Sequence, residues 1–265
     1  MRNAKGLPAP MKRFINLLRA ALNPKRLPVM LRKVLKRVAV ERGSLSESEN
    51  LEWLRTHSSS MEEFAGKLNP ELWQEAGDYE SKLQRHAAAV LERIGHQLGG
   101  GGAYRLLYFL TRYLKPDCIV ETGVAAGYST HAFLTAIQNN GKGRLFSSDF
   151  PYFRLSDPER YIGVLVEQEL KSDWELFIDG DRENLPRILK RADRIDLFHY
   201  DSDKSYSGRR FAVSQIERKM SPQAVMIFDD IQDNSHFHDY VEGCDPSSWS
   251  VFAFEGKYIG VVGQL

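Results

Sequence analysis

Three carboxylates carry the strongest chemical signal in this sequence. Asp229 and Asp230 close the β-rich run AVMIFDD at 224–230, and Asp201 closes DLFHYD at 196–201. Acids at the C-terminal ends of neighbouring parallel strands converge in the crevice above the sheet, and three carboxylate oxygens with retained waters suit a hard cation such as Mg²⁺. The plainer alternative is that adjacent acids after a β-run are solvated. Lys204 follows Asp201 by three residues in DSDKSY. It either pairs with Asp201 or Asp203, or acts as a base once its pKa, ordinarily ~10.4, is brought down by like charge and desolvation.

A second constellation is ETGVAAGYST at 121–130, placed where a strand turns into a helix. Gly123 and Gly127 let the backbone approach a ligand closely, and the helix start that follows offers unpaired N–H groups. The loop reads G-x-x-x-G, with Ala125 where the middle glycine of a dinucleotide-binding G-x-G-x-x-G would stand. One strand later Asp149 ends RLFSSD, placed either to accept hydrogen bonds from both ribose hydroxyls of a nucleoside cofactor or to cap the next helix. His199 lies inside a strand and is read as a core residue; His236 and His238 are as well placed for solvent as for the pocket.

The elements that must position these groups are short. Candidate strands are 118–122, 144–149, 174–179, 196–201 and 224–230, alternating with helical stretches near 128–139, 158–170, 182–191 and 206–220. Such alternation specifies a parallel sheet with helices on both faces. The tail breaks the rhythm: WSVFAFEG and KYIGVVG, joined at Glu255, Gly256 and Lys257, predict a closing β-hairpin with an antiparallel last strand. Upstream, residues 61–98 are helical in pattern and end at the glycine run 99–102, read as a hinge. Residues 43–60, Ser-rich, read as a loop or linker around a short turn at 51–55.

Composition narrows the setting. Two cysteines, Cys118 and Cys244, build neither a disulfide framework nor a zinc cluster, which fits a reducing, cytoplasmic compartment. The formal charge of +1 conceals an asymmetry: residues 1–42 hold 12 Lys or Arg against the single acid Glu41, leaving 24 basic and 34 acidic residues elsewhere. Nucleic acid is therefore not implied as a partner of the body. Apolar positions 14–22 and 30–38 recur at helical spacing between these basic residues. The two short basic helices so predicted either pack on the catalytic domain or a second subunit, as in a homo-oligomer, or dock peripherally on an anionic membrane. No apolar run is long enough to span a bilayer.

On these residues the chain resembles the class I, S-adenosylmethionine-dependent methyltransferases. E-x-G-x-x-x-G-Y-S at 121–129 is similar to the first motif of the catechol O-methyltransferase group. DLFHYDSDKSY at 196–206 resembles the D-A-D-K-x-x-Y segment of caffeoyl-CoA O-methyltransferases, and IFDDI their second acid pair. A related small bacterial family that modifies sugars and antibiotics usually has His at the Lys204 place, so the acceptor type stays open.

The resemblance implies a Rossmann-like, doubly wound, mostly parallel α/β sheet closed by an antiparallel hairpin at 103–265, behind a helical N-terminal extension at 1–100. It implies S-adenosylmethionine bound by Glu121, Gly123, Gly127 and Ser129, with Asp149 at the ribose and Gly180, Asp181 and Arg182 at the adenine. It makes Asp201, Asp229 and Asp230 ligands of Mg²⁺ or another divalent cation and Lys204 the base in O-methylation of a small-molecule hydroxyl, with Asp201 and Lys204 as catalytic residues. Metal-independent N- or sugar O-methylation, or a nucleotide-binding scaffold without chemistry, are the alternatives.

Overall fold

A computed structural model describes residues 43–265 apart from 153, together with 11, 15–18, 22 and 27. Apart from those isolated positions, the basic segment at 1–42 lies outside the described residues.

The Ser-rich stretch is a helix rather than a linker. In α1 (Glu47–His57) the Ser46 hydroxyl accepts from the Glu49 N–H at 3.4 Å while the Glu49 carboxylate accepts from the Ser46 N–H at 2.8 Å. This reciprocal capping box satisfies two backbone donors that a helix start otherwise leaves open. Asn50, fully buried, donates from its amide to the carbonyls of Ile231, Gln232 and Asn234, so the helix is fixed to the loop that follows Asp230.

A two-residue strand, β1 (Ser58–Ser59), leads into α2 (Met61–Leu68) and the long α3 (Pro70–Ile94). Asn69 caps α3 by accepting from the Leu72 N–H at 2.9 Å, Pro70 starts it, and Gly95 at φ 66° ends it. Its buried stripe, Trp73, Ala76, Tyr79, Leu83, Ala87 and Val90, has helical spacing. After it, α4 (Tyr104–Leu114) leads to the sheet.

The remaining elements are β2 (Cys118–Thr122), α5 (Tyr128–Asn140), β3 (Arg144–Ser148), β4 (Trp174–Phe177), α6 (Asp181–Arg191), β5 (Ile195–Tyr200), α7 (Tyr206–Ile216), β6 (Met220–Phe228), α8 (His236–Val241), β7 (Trp249–Phe254) and β8 (Lys257–Val262). They build an eight-stranded sheet in the order β1-β7-β8-β6-β5-β2-β3-β4. Strands β2 to β6 are mutually parallel, whereas β8 runs antiparallel to both β6 and β7. This is the mixed α/β, Rossmann-like arrangement with a closing hairpin that the sequence predicts.

Successive strand residues face opposite layers. Ile119, Leu145 and Leu197 join a core with Phe133 of α5, Leu107 and Phe109 of α4 and Trp73, Tyr79 and Leu83 of α3. Val120, Phe146 and Phe198 join another with Leu185 and Ile188 of α6, Ala212 and Ile216 of α7 and Phe237 of α8. Among the described residues no helix is long and apolar enough to cross a membrane.

The helix expected near 158–170 does not form. Two 3₁₀ turns, Pro158–Tyr161 and Gln168–Asp173, flank Gly163, which sits at φ 64° with no room for a side chain: a Cβ there would lie 2.3 Å from the Trp174 ring. Instead the segment docks by its backbone, Gly163 N–H on Ala125 O at 2.9 Å and Leu165 N–H on Ala126 O at 3.0 Å. Tertiary hydrogen bonds and ring packing override the local apolar spacing.

Candidate active site above the sheet

The chain leaves β2 toward β3 on one side and later returns to pair β5 on its other side. In open α/β sheets ligands bind at such a switch point, outside the C-terminal strand ends. Here that crevice holds the glycine turn and the three acids.

The turn between β2 and α5 runs through left-handed backbone at Gly123 (φ 89°), Ala125 (φ 50°) and Gly127 (φ 101°). Gly123 packs directly on the end of β5, where a Cβ would fall 2.1 Å from the Asp201 carbonyl oxygen; one at Gly127 would fall 2.8 Å from Gly163 Cα. Beneath the turn, Glu121 is fully buried and accepts from three hydroxyls, Ser129 at 2.5 Å and Thr130 and Ser147 each at 2.7 Å. Burial pushes its carboxyl up to about 7, against the pull of those donors.

At the ends of β5 and β6, Asp201, Asp229 and Asp230 each offer an oxygen within 4.8 Å of the others. Arg209, buried on α7, sets the bend: its two terminal nitrogens donate to the Asp229 carbonyl at 3.0 Å and the Asp230 carbonyl at 2.8 Å. Asp230 takes left-handed backbone at φ 51° and is only 2% exposed. Two ammoniums meet its carboxylate, Lys204 on Oδ2 and Lys257 on Oδ1 at 3.1 Å. Burial, then the charge of Asp229, raise the Asp201 carboxyl to about 7, with Lys204, Lys257 and Arg209 opposing.

A cavity of about 210 Å³ opens over this cluster. Gly123, Ser129, Asp201, Lys204, Asp229 and Asp230 line it, so the structure brings together these six of the expected site residues. Its walls also include Gly99, Gly100, Gly102, Tyr104, Tyr128, His199 and Lys257, for which the sequence reading named no site role. Tyr104 and Tyr128 stack with ring centres 5.0 Å apart. His199 is buried against the Phe133 ring, and burial pushes its pKa down to about 4, so it is neutral.

The other expected residues stand outside the cavity wall. Glu121 lies under the turn as described, and Gly127 faces the 163 segment. Asp149 accepts from the Ala125 N–H at 2.7 Å, and Gly180 donates to the Asp149 carbonyl at 3.1 Å. Asp181, at the start of α6, accepts from Ser148 at 2.7 Å and Ser202 at 2.5 Å. Arg182 lies over the Phe211 ring at 4.8 Å. Asp149, Gly180 and Asp181 are thus gathered on the β3–β4 side of the turn, and the acids on the β5–β6 side.

Residues 120–231 match the family model of a methyltransferase domain. No curated protein matches the chain. Among solved structures, the O-methyltransferase TomG from Streptomyces achromogenes, involved in tomaymycin synthesis and solved in complex with SAM, is similar at 16% identity and a TM-score of 0.53, over 69% of this chain and 89% of that one. A methyltransferase from Geobacter sulfurreducens is similar at 18% identity and a TM-score of 0.50, over 72% and 96%. The matched segment spans the glycine turn and all three acids, so over it the chain is similar to methyltransferase domains, and its fold is that of these solved structures.

Proposed function

We propose that the chain transfers the methyl group of S-adenosylmethionine to a hydroxyl of a small molecule with the help of a divalent cation. The observation that carries this reading is the convergence of Asp201, Asp229 and Asp230 at a cavity that the glycine turn also lines. The donor set fits such an ion: three hard carboxylate oxygens, two of the residues buried, with the Asp201 carboxyl raised by burial and then by its neighbour's negative charge. Bound there, a cation such as Mg²⁺ would supply Lewis acidity that lowers the pKa of an acceptor hydroxyl. The methyl donor would lie along the turn by Gly123 and Ser129, with Asp149, Gly180 and Asp181 toward its nucleoside end.

The protein's own contribution is alignment and proton handling. Arg209 and the left-handed backbone of Asp230 hold the acids in place, and the stacked Tyr104 and Tyr128 form a flat wall for an acceptor. Lys204, half exposed at the cavity, is the group placed to take the hydroxyl proton. Its nitrogen is paired with the Asp230 carboxylate, so service as a base requires that pairing to loosen. The same two ammoniums on Asp230 support a second reading, in which they neutralise the acid and methyl transfer runs without metal.

Formation of S-adenosylhomocysteine with a panel of phenolic, sugar and amine acceptors tests both. Turnover on a hydroxyl acceptor that falls about 100-fold on chelation and returns with Mg²⁺ supports the first reading. Turnover indifferent to chelator selects the second, and cofactor binding without turnover on any acceptor leaves a scaffold.

A further inference from the structure

A second convergence of ligating groups lies away from the acids, on the α3 and α5 side of the sheet. His86 of α3, His131 of α5 and Glu167, in the segment docked on the glycine turn, place one ligand atom each within 4.8 Å of one another. His86 Nδ1 is 3.4 Å from Glu167 Oε1, and His131 Nε2 is 3.0 Å from Glu167 Oε2. Ligands about 2.0–2.1 Å from a tetrahedral zinc ion are separated by about 3.3 Å.

The outward nitrogens are already engaged. His86 Nε2 donates to the Leu165 carbonyl at 2.9 Å, which leaves the lone pair of a neutral ring on Nδ1, facing Glu167. His131 Nδ1 meets the hydroxyls of Tyr79 at 2.8 Å and Thr135 at 3.1 Å; donation there turns the Nε2 lone pair inward as well. A ring whose outer N–H is bound to a carbonyl or hydroxyl is the arrangement that orients metal-ligating histidines. Glu167 Oε2, although buried and near His131, accepts no hydrogen bond from the described residues. The His131 side chain is 10% exposed, those of His86 and Glu167 30% and 42%, so the cluster is closed on the protein side and open to solvent on the other.

We propose that His86, His131 and Glu167 bind Zn²⁺, with water completing the coordination. Two imidazoles and one carboxylate match that ion's preferences, in contrast to the all-oxygen set of the acid cluster. Because Glu167 follows closely on Gly163 and Leu165, which donate to Ala125 and Ala126, the ion would clamp the glycine turn to α3 and α5.

The full chain, stripped with chelator, is titrated with Zn²⁺ against a chromophoric competitor. One equivalent is expected to remain in an Asp201→Asn/Asp229→Asn variant, where the acid cluster is disabled, and to weaken at least tenfold when His86→Gln or Glu167→Gln is added to it, at partly exposed positions that tolerate exchange. Copper substitution should give nitrogen hyperfine coupling from two imidazoles, reduced to one in His86→Gln. Affinity unchanged by both added substitutions, loss of binding in the double Asp variant, or no bound equivalent in natively folded protein each overturns the assignment.

Discussion

Lys257 Nζ lies 3.1 Å from Asp230 Oδ1, so the closing hairpin supplies a charge to the acid cluster from a strand that pairs beside β6. With Lys204 on the other oxygen, the buried Asp230 carboxylate is bracketed by two ammoniums. Lys257→Ala is expected to lower kcat/KM about tenfold and Lys257→Arg to restore most of it. Lys204→Ala should cost about 10²-fold or more in kcat if the lysine takes the proton, with the calorimetric Kd for S-adenosylmethionine little changed. Equal, small losses in both variants would reduce Lys204 to a charge partner.

Gly123 has no space for a methyl group. A Cβ would lie 2.1 Å from the Asp201 carbonyl, and φ 89° is strained for any L side chain. Gly123→Ala should therefore destabilise the fold by about 2 kcal/mol or more and displace the end of β5. Calorimetry should show S-adenosylmethionine binding lost under conditions where circular dichroism still reports a folded chain.

Glu121 carries a pH dependence whose sign follows from burial. Its carboxyl is raised to about 7 in the fold and returns to about 4.5 when the chain unfolds. Between those values the folded protein keeps a proton that the unfolded chain has released. The contribution is thus complete below about 4.5 and is lost as pH rises through about 7, a change of roughly 3 kcal/mol. Glu121→Gln keeps the hydrogen-bonding shape without the titration. Urea denaturation across that window should give a profile for the variant flatter than the native one by this amount; parallel profiles would refute the account.

Arg209 satisfies two buried carbonyls at the bend that presents the acids. Arg209→Met leaves both without a donor, at about 1–3 kcal/mol each. Denaturant midpoints should fall accordingly, and chelation should then leave residual activity unaltered because the carboxylates no longer converge. Arg209→Lys, able to reach one carbonyl, should fall between.

The strand ends were legible in the sequence because each couples a β-rich run to an acid or a glycine: CIVET ending before Gly123, DLFHY before Asp201, AVMIF before Asp229. Lys257 was not, since its nearness to Asp230 depends on the register that pairs Phe228 with Gly260, and register is set by packing. The Ser46–Glu49 capping box is present in the letters, yet the surrounding serines read as a linker. The stretch after β3 offers Tyr161, Ile162, Val164 and Leu165 at spacing compatible with a helix; what defeats it is the Trp174 ring over Gly163, a contact between residues that periodicity cannot connect. The glycines at 99–102 read as a hinge in the sequence, and Gly99, Gly100 and Gly102 turn out to line the cavity.

Strand β7 lies next to the end of the sheet, and among the described residues its outer side is paired only at Val251 and Phe252, by Ser58 and Ser59. A sheet edge presents unpaired N–H and C=O groups that invite another chain to add a strand. Two serines with short polar side chains thus act as a blunt stop against edge-to-edge association. A chain beginning after Ser59 would expose the WSVFAF edge, and its failure would be aggregation of folded or nearly folded molecules rather than simple loss of stability.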